Sequence, residues 1–370
     1  MLIDIIFVFF LASAFIRLFY SLLFFTRNTV PEQPATKEAQ SVPVSVIVCA
    51  HNELENLKEL LPALYVQNHN DFEIIVADDR STDGTGDWLR QEIPKSRGRL
   101  RSVRVDETPS HIDHKKFAVT MAVKAARHER MLFTDADCRP ASENWVAGMA
   151  SKFDKGVDFV IGYCQYQRRR GLLNALIRFE TMMSGLLYLG FARAGNPYMA
   201  VGRNMAYRKS VFLANNGFGK LQGITGGDDD LLVNKLANRK NARVATGKDV
   251  AVLSVPKTTW RGFGRQKTRH LSVGKYYKTT DRIALGIFYL SIIIFWSSFI
   301  TLLSATHELY WVAGGYSVVM LVTTAVWGMA AKRMPDDFRV WKIPVLDFLF
   351  PVYYILIGLR AFFSKKVQWS

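Results

Sequence analysis

Cysteine is scarce in this 370-residue chain: Cys49, Cys138 and Cys164 make an odd number, and no two have C-x-x-C spacing. A disulfide scaffold and a cysteine-based zinc or redox centre are thereby excluded, which leaves three small buried thiols in a reducing compartment. Acidic residues are the minority, 32 against 48 Lys+Arg, for a net charge of +16. A disordered acidic chain is excluded too, since 49% of the residues are hydrophobic and supply a core for one or two domains. Charge is also missing locally. Residues 283–304 and 310–331 contain no charged side chain, and residues 2–25 contain only Asp4 and Arg17.

Runs of this length suffice to cross a hydrocarbon core, which needs about 20 helical residues. A fourth stretch, 344–364, carries Pro351 and Arg360 and reads as a transmembrane or a re-entrant helix. The first run has no basic start and no small-residue cleavage site before Arg27, so it reads as a retained anchor instead of a signal peptide. Basic residues mark the inner flanks: Arg17 and Arg27 at the first run, Lys275, Lys278 and Arg282 before the second, and Lys332, Arg333, Arg339 and Lys342 after the third. The expected product is a multi-pass protein of the cell membrane with residues 26–282 in the cytoplasm. Lys365 and Lys366 favour a re-entrant last helix. The absence of charge inside the second and third runs argues against a transporter, which needs ionisable groups near the midplane.

Residues 26–43, polar and punctuated by Pro31, Pro34 and Pro43, read as a linker. The domain after it, 44–256, alternates strands with helices. Val44–Cys49 is a continuous, mostly β-branched apolar run suited to a strand buried on both faces, Phe72–Ala77 is a second buried strand, and Leu100–Val105 and Met131–Thr134 follow the same order, with helical patterns between them. This predicts a doubly wound α/β domain that binds its ligand beyond the carboxyl ends of its strands. Two acidic loops sit at such ends. Asp78, Asp79 and Asp83 follow the second strand, although Asp83 with Ser81 and Gly84 also suits a helix cap. Asp135 and Asp137 follow the strand at 131–134, and two carboxylates one residue apart suit a hard divalent cation, Mn²⁺ or Mg²⁺. A third cluster, Asp228-Asp229-Asp230, opens a helical run; capping is one account, and adjacent carboxylates whose repulsion prepares a base is the other.

Residues 257–282 hold eight Lys or Arg against the single acid Asp281, with Trp260, Phe263, Tyr276 and Tyr277 interleaved. Beside a span, this mixture reads as a basic interfacial helix resting on anionic membrane lipids. No nucleic-acid-binding motif accompanies it, so nucleic acid is not an expected partner. Arg168, Arg169 and Arg170 with the apolar 182–192 read as either a second interfacial element or a buried helix.

The segments "VSVIVCAHNELENL", "EIIVADDRSTDGT", "HKKFAVTMAVKAARHERMLFTDADC", "GGDDDLLVN" and "QKTRH" occur in an order and spacing that resemble the membrane-associated family 2 glycosyltransferases. The resemblance spans roughly residues 42–282 and the anchors. It implies a GT-A nucleotide-sugar-binding (Rossmann-like) domain between N- and C-terminal transmembrane helices. It also implies inverting transfer of a hexosyl unit from a nucleotide-diphosphate sugar to a hydroxyl of a lipid or glycan acceptor, or alternatively to a polyprenyl phosphate. By the same resemblance Glu53, Asp79, Lys116 and Asp135 contact the nucleotide sugar, Asp135 and Asp137 hold the metal, and Asp229 or Asp228 is the base. Gln266 and Arg269 match the family's Q-x-x-R-W motif. His270 replaces its Trp, so processivity is not implied, and His270 joins Arg203 and Asn204 of "GNPYMAVGRNMAYRK" on the acceptor side.

Overall fold

Seven consecutive buried residues, Val44–Ala50 (β1), form the centre of the molecule. Only a strand covered on both faces shields every side chain of such a run. β1 pairs in parallel with Phe72–Asp79 (β2) on one side and Arg130–Asp135 (β4) on the other. Leu100–Val105 (β3) extends the parallel half beyond β2. The helices Leu54–Tyr65 (α2), Thr85–Glu92 (α3) and His114–Ala125 (α4) make the crossovers, as the strand–helix alternation predicts. This computed structural model describes residues 1–29, 42–305, 309–334 and 337–363. Most of the expected linker, including Pro31 and Pro34, lies outside the described residues, as do Lys365 and Lys366.

Beyond β4 the sheet turns antiparallel. Phe159–Gly162 (β6), Met205–Arg208 (β8) and Ala242–Ala245 (β9) complete the order β3-β2-β1-β4-β8-β6-β9. At Asp135 the chain leaves this sheet. Three residues later it enters a second one as Cys138–Pro140 (β5), which pairs with Val252–Ser254 (β10), itself beside Cys164–Tyr166 (β7). The D-x-D therefore forms the corner between two sheets, and both carboxylates are held by strand ends. The short helices Trp145–Ala150 (α5), Lys209–Ala214 (α7) and Asp230–Leu236 (α8) fill the connections. Leu172–Arg193 (α6) is buried along most of its length, which selects the buried-helix reading of that segment. It is the seat of the N-terminal anchor: Asn28 Nδ2 donates to the Leu186 carbonyl at 2.9 Å, and Phe24 stacks on Phe191 at 4.1 Å.

The anchor itself is Leu2–Tyr20 (α1), continued by a π turn at Ser21–Phe25 and a 3₁₀ turn at Thr26–Thr29. At the other end, Trp260–Val273 (α9) precedes Thr279–Ala305 (α10), Leu309–Arg333 (α11) and Ile343–Phe363 (α12). Among the described residues, four helical segments are long and apolar enough to cross a membrane, those of α1, α10, α11 and α12. Two expectations need correction. The basic segment 257–282 is not one helix: Thr259 caps α9 through its side-chain oxygen, and a 3₁₀ turn at Gly274–Tyr276 separates α9 from α10. Arg17 is not a flanking charge. It lies inside the helix bundle, 5% exposed and paired with Asp347 of α12. α12 runs through Pro351 as one continuous helix and contains no hairpin.

Candidate active site

A cavity of about 1160 Å³ opens at the carboxyl ends of β1 and β4 and runs beneath α9. The doubly wound topology places it there, because crossover helices cover the faces and leave the strand ends open. Glu53, Asp135, Asp137, Arg203, Asp228, Asp229, Gln266, Arg269 and His270 all line it, so groups separated by more than 200 residues converge.

The acidic corner is bridged by a cation that sequence reasoning missed. Lys115 Nζ lies 3.1 Å from Asp135 Oδ1 and 3.2 Å from Asp228 Oδ2. Burial works against its ammonium, but Asp135, Asp228 and Asp229 outweigh that and hold its pKa well above the ordinary range. Lys116, expected at the nucleotide, points elsewhere: it is fully buried, and its Nζ donates to the carbonyls of Ile224 and Gly226. One residue on a helix is a rotation of about 100°, so of two adjacent lysines one supports the loop before the triad and the other faces the cavity. The signal was present in "HKK" without the phase to choose between them.

The triad is not three equivalent carboxylates. Gly226 and Gly227, at φ +76° and +72°, make the turn that delivers it, a conformation few side-chain-bearing residues adopt. Asp229 is the N-cap of α8. Its Oδ1 accepts from the Asp230 amide at 2.8 Å and its Oδ2 from the Gly202 amide at 2.6 Å. Asp230 accepts from the Tyr277 hydroxyl at 2.5 Å. Burial raises the pKa of both, reinforced by Asp228 at Asp229 and by Asp229 at Asp230. Asp228 departs in the other direction. Burial opposes its charge, but Lys115 and Lys116 overcome this and keep its carboxyl below the usual range.

Asp137 is enclosed, and burial together with the neighbouring Asp135 raises its pKa. The pair offers hard oxygen donors. Among the described residues, no group of three or more His, Cys, Asp or Glu gathers into a protein-only metal cage. Arg203 stacks on the Tyr166 ring at 4.4 Å, and its Nη1 is buried without a hydrogen-bond partner. Gln266 Nε2 donates to the Tyr166 hydroxyl at 3.1 Å, which locates the Q-x-x-R segment over the second sheet.

Two expected contacts are corrected. Asn204 does not face the cavity. Its amide donates to the carbonyls of Tyr163 and Val250 at 2.7 and 2.8 Å and accepts from Trp145 Nε1 at 3.0 Å, tying β6, α5 and the approach to β10 together. Asp79 is fully buried, with both carboxylate oxygens held by Arg80, and does not line the cavity. Asp83 takes the capping role considered for it, accepting from the amides of Leu54 and Thr85 at 3.0 Å each.

Comparison with known proteins bears on the family and the fold. Residues 45–214 match the glycosyl transferase family 2 model, and residues 131–331, over half of the chain, match that of glycosyl transferase family group 2. Glycosyltransferase AglE of Haloferax volcanii is 28% identical over 130 residues, which cover 35% of this chain and 41% of that protein. Mannosyltransferase PcManGT from Pyrobaculum calidifontis, solved with GDP-Man and Mn²⁺, superposes over 99% of this chain and 100% of its own, with a TM-score of 0.65 at 18% identity. Residues 1–349 of TarS from S. aureus, solved with UDP-GlcNAc, align over 86% of this chain and 79% of theirs, at 16% identity and a TM-score of 0.44. The chain belongs to the family 2 glycosyltransferases, with an α/β domain of GT-A fold set between helices long and apolar enough to cross a membrane.

Proposed function

We propose that the protein transfers a hexosyl unit, with inversion, from a nucleotide-diphosphate sugar to a hydroxyl group of a lipid or glycan acceptor at the membrane, with its catalytic domain in the cytoplasm. The observation that carries this is the convergence of Asp135, Asp137, Lys115 and Asp228 in one cavity at the strand ends. The donor side follows from charge. Asp135 and Asp137 would hold Mn²⁺ or Mg²⁺, since such ions take one or two carboxylates and complete their shell with substrate phosphate oxygens. A bound ion supplies neutralisation of the charge that grows on the departing diphosphate. Arg269, a fork of fixed donors, adds to that neutralisation, with Gln266 beside it.

The acceptor oxygen attacks the anomeric carbon as the bond from that carbon to the diphosphate breaks. The leaving nucleoside diphosphate keeps the bonding electrons, and the hydroxyl proton passes to a carboxylate. Of the two candidates for that role, the geometry favours Asp228: Lys115 keeps it ionised, whereas both oxygens of Asp229 are occupied by backbone amides. One base on the far side of the sugar suffices for inversion. The test is incubation of membranes containing the protein with a panel of nucleotide sugars, followed by mass spectrometry of lipid and glycan fractions. A product of inverted anomeric configuration is expected. No sugar transfer from any donor, by protein that is folded and membrane-inserted, would reject the reading.

A further inference from the structure

The cavity does not end at the acidic corner. Leu285, Gly286, Tyr289, Leu290 and Ile293 of α10 and Tyr354 of α12 also belong to its wall. Both helices are among those long and apolar enough to cross a membrane, so one space has aspartates at one end and a hydrocarbon-facing wall at the other. The gap in that wall lies along α10 and not between α10 and α12, whose Tyr289 and Tyr354 rings stack at 4.5 Å: a Cβ added at Gly286 would meet nothing within 4 Å, and Leu290 is 54% exposed.

Two cations line the same cavity: Lys275, in the turn after α9, and Arg282, in the first turn of α10, one helical turn before Gly286. Among the described residues neither has a carboxylate partner, and the adjacent acids are engaged. Asp281 accepts from Asn196 and Asn234 at 2.8 Å each, and Asp230 accepts from Tyr277. Unpaired positive charge above an apolar slot is complementary to an amphiphile with an anionic head.

We infer that the acceptor is a lipid whose headgroup carries phosphate and, beyond it, the sugar hydroxyl that is glycosylated, and that it enters sideways from the bilayer over the Gly286–Leu290 face of α10, beside the Tyr289–Tyr354 pair. The inference rests on the transfer reaction proposed above. The apolar chain lies along Leu285–Ile293, the phosphate meets Lys275 and Arg282, and the hydroxyl reaches Asp228. The phosphate is not the nucleophile. It is already ionised and needs no base, and its approach to Asp228, Asp229 and Asp230 would be opposed by their charge, whereas a hydroxyl needs the base and meets no such opposition.

The test uses full-length protein in lipid nanodiscs with two photoreactive probes, a long-chain isoprenyl diphosphate and the matching uncharged isoprenol. The charged probe is expected to label the peptides containing residues 283–293 and Tyr354, and the isoprenol to label them far less. Lys275→Gln with Arg282→Gln lowers labelling about tenfold or more. Gly286→Phe, whose Cβ meets nothing within 4 Å and whose ring occupies the gap, lowers it similarly, and Gly286→Ala preserves it. If Gly286→Phe fails to fold, Leu290→Trp carries the same test. Equal labelling by both probes, labelling elsewhere on the chain, or full labelling of the gap-filling variants overturns the inference. Binding of GDP-mannose and UDP-GlcNAc to the wild-type protein is measured in parallel. Labelled protein that binds and transfers from no nucleotide sugar defeats the proposed reaction, while sugar transfer without labelling defeats only the lipid route.

Discussion

Arg17 and Asp347, 330 residues apart, meet inside the helix bundle, with Arg17 Nη2 2.8 Å from both carboxylate oxygens. Trp296 Nε1 donates to the same carboxylate at 2.8 Å, and the Arg17 guanidinium lies 4.7 Å over the Phe295 ring. The first and last apolar helices are thus joined by a buried ion pair, and α10 supplies its remaining partners. Removing one member leaves an uncompensated buried charge, at a cost of about 3–5 kcal/mol, whereas replacing both by apolar groups is often neutral. Thermal unfolding of purified protein should therefore show Arg17→Leu and Asp347→Leu strongly destabilised and the double variant close to wild type. A double variant no better than either single one would mean that the pair is not energetically coupled.

Asp228 and Asp229 are adjacent yet differently placed, and their amides should behave differently. Asp228→Asn is expected to lower turnover by roughly 10²–10⁴-fold, the usual worth of a general base. Asp229→Asn keeps an oxygen for only one of the two amides, Gly202 or Asp230, and sets its NH2 against the other, so it should lower the melting temperature while losing less turnover than Asp228→Asn in the protein that stays folded. Steady-state kinetics with the active donor decides this, and the reverse order of losses would assign the base to Asp229.

The oxygen donors of Asp135 and Asp137 make metal dependence an expected outcome of the proposed reaction. Treatment with a chelator should abolish transfer, and Mn²⁺ or Mg²⁺ should restore it. Asp137→Asn should raise the Mn²⁺ concentration needed for half-maximal activity while leaving the melting temperature of the metal-free protein within a few degrees. Undiminished transfer in chelator excludes the role given to Asp135 and Asp137.

Asp230 offers a pH test of folding energetics. Burial and the neighbouring Asp229 raise its folded pKa well above that of the unfolded chain, so the folded state holds this proton more tightly. Its contribution to stability is full below the unfolded pKa and is lost as pH rises through the folded value. Asp230→Asn keeps an acceptor for only one of its two donors, the Tyr277 hydroxyl or the Leu231 amide, which sets a pH-independent offset, and it has no proton to lose. Its melting temperature relative to wild type should accordingly climb as pH increases. A difference that is flat with pH would show that Asp230 does not titrate in the folded protein.

The parallel half of the fold was legible because its central strand β1 is a short apolar run and because strand, polar turn and helix repeat after it, so that local pattern suffices. Asp135 and Asp137 were legible for the same reason, since a strand end marks the ligand side of such a sheet. The apolar helices were legible from length and lack of charge. None of these needs knowledge of distant contacts.

Side-chain phase and long-range pairing were not legible. Lys115 and Lys116 differ by one step of a helix, and only the packed position of α4 against the loop at Ile224–Gly226 decides which faces the aspartates. Asn204 reads as a polar residue beside Arg203, which lines the cavity, yet β6, α5 and the chain near Val250 close around it and claim its donors and acceptor. Arg17 looked like a mark of topology until α12 brought Asp347 to it. Periodicity and composition state how each segment is covered, whereas the partner of a buried charge depends on which segments of the folded chain surround it, a long-range property that local sequence does not encode.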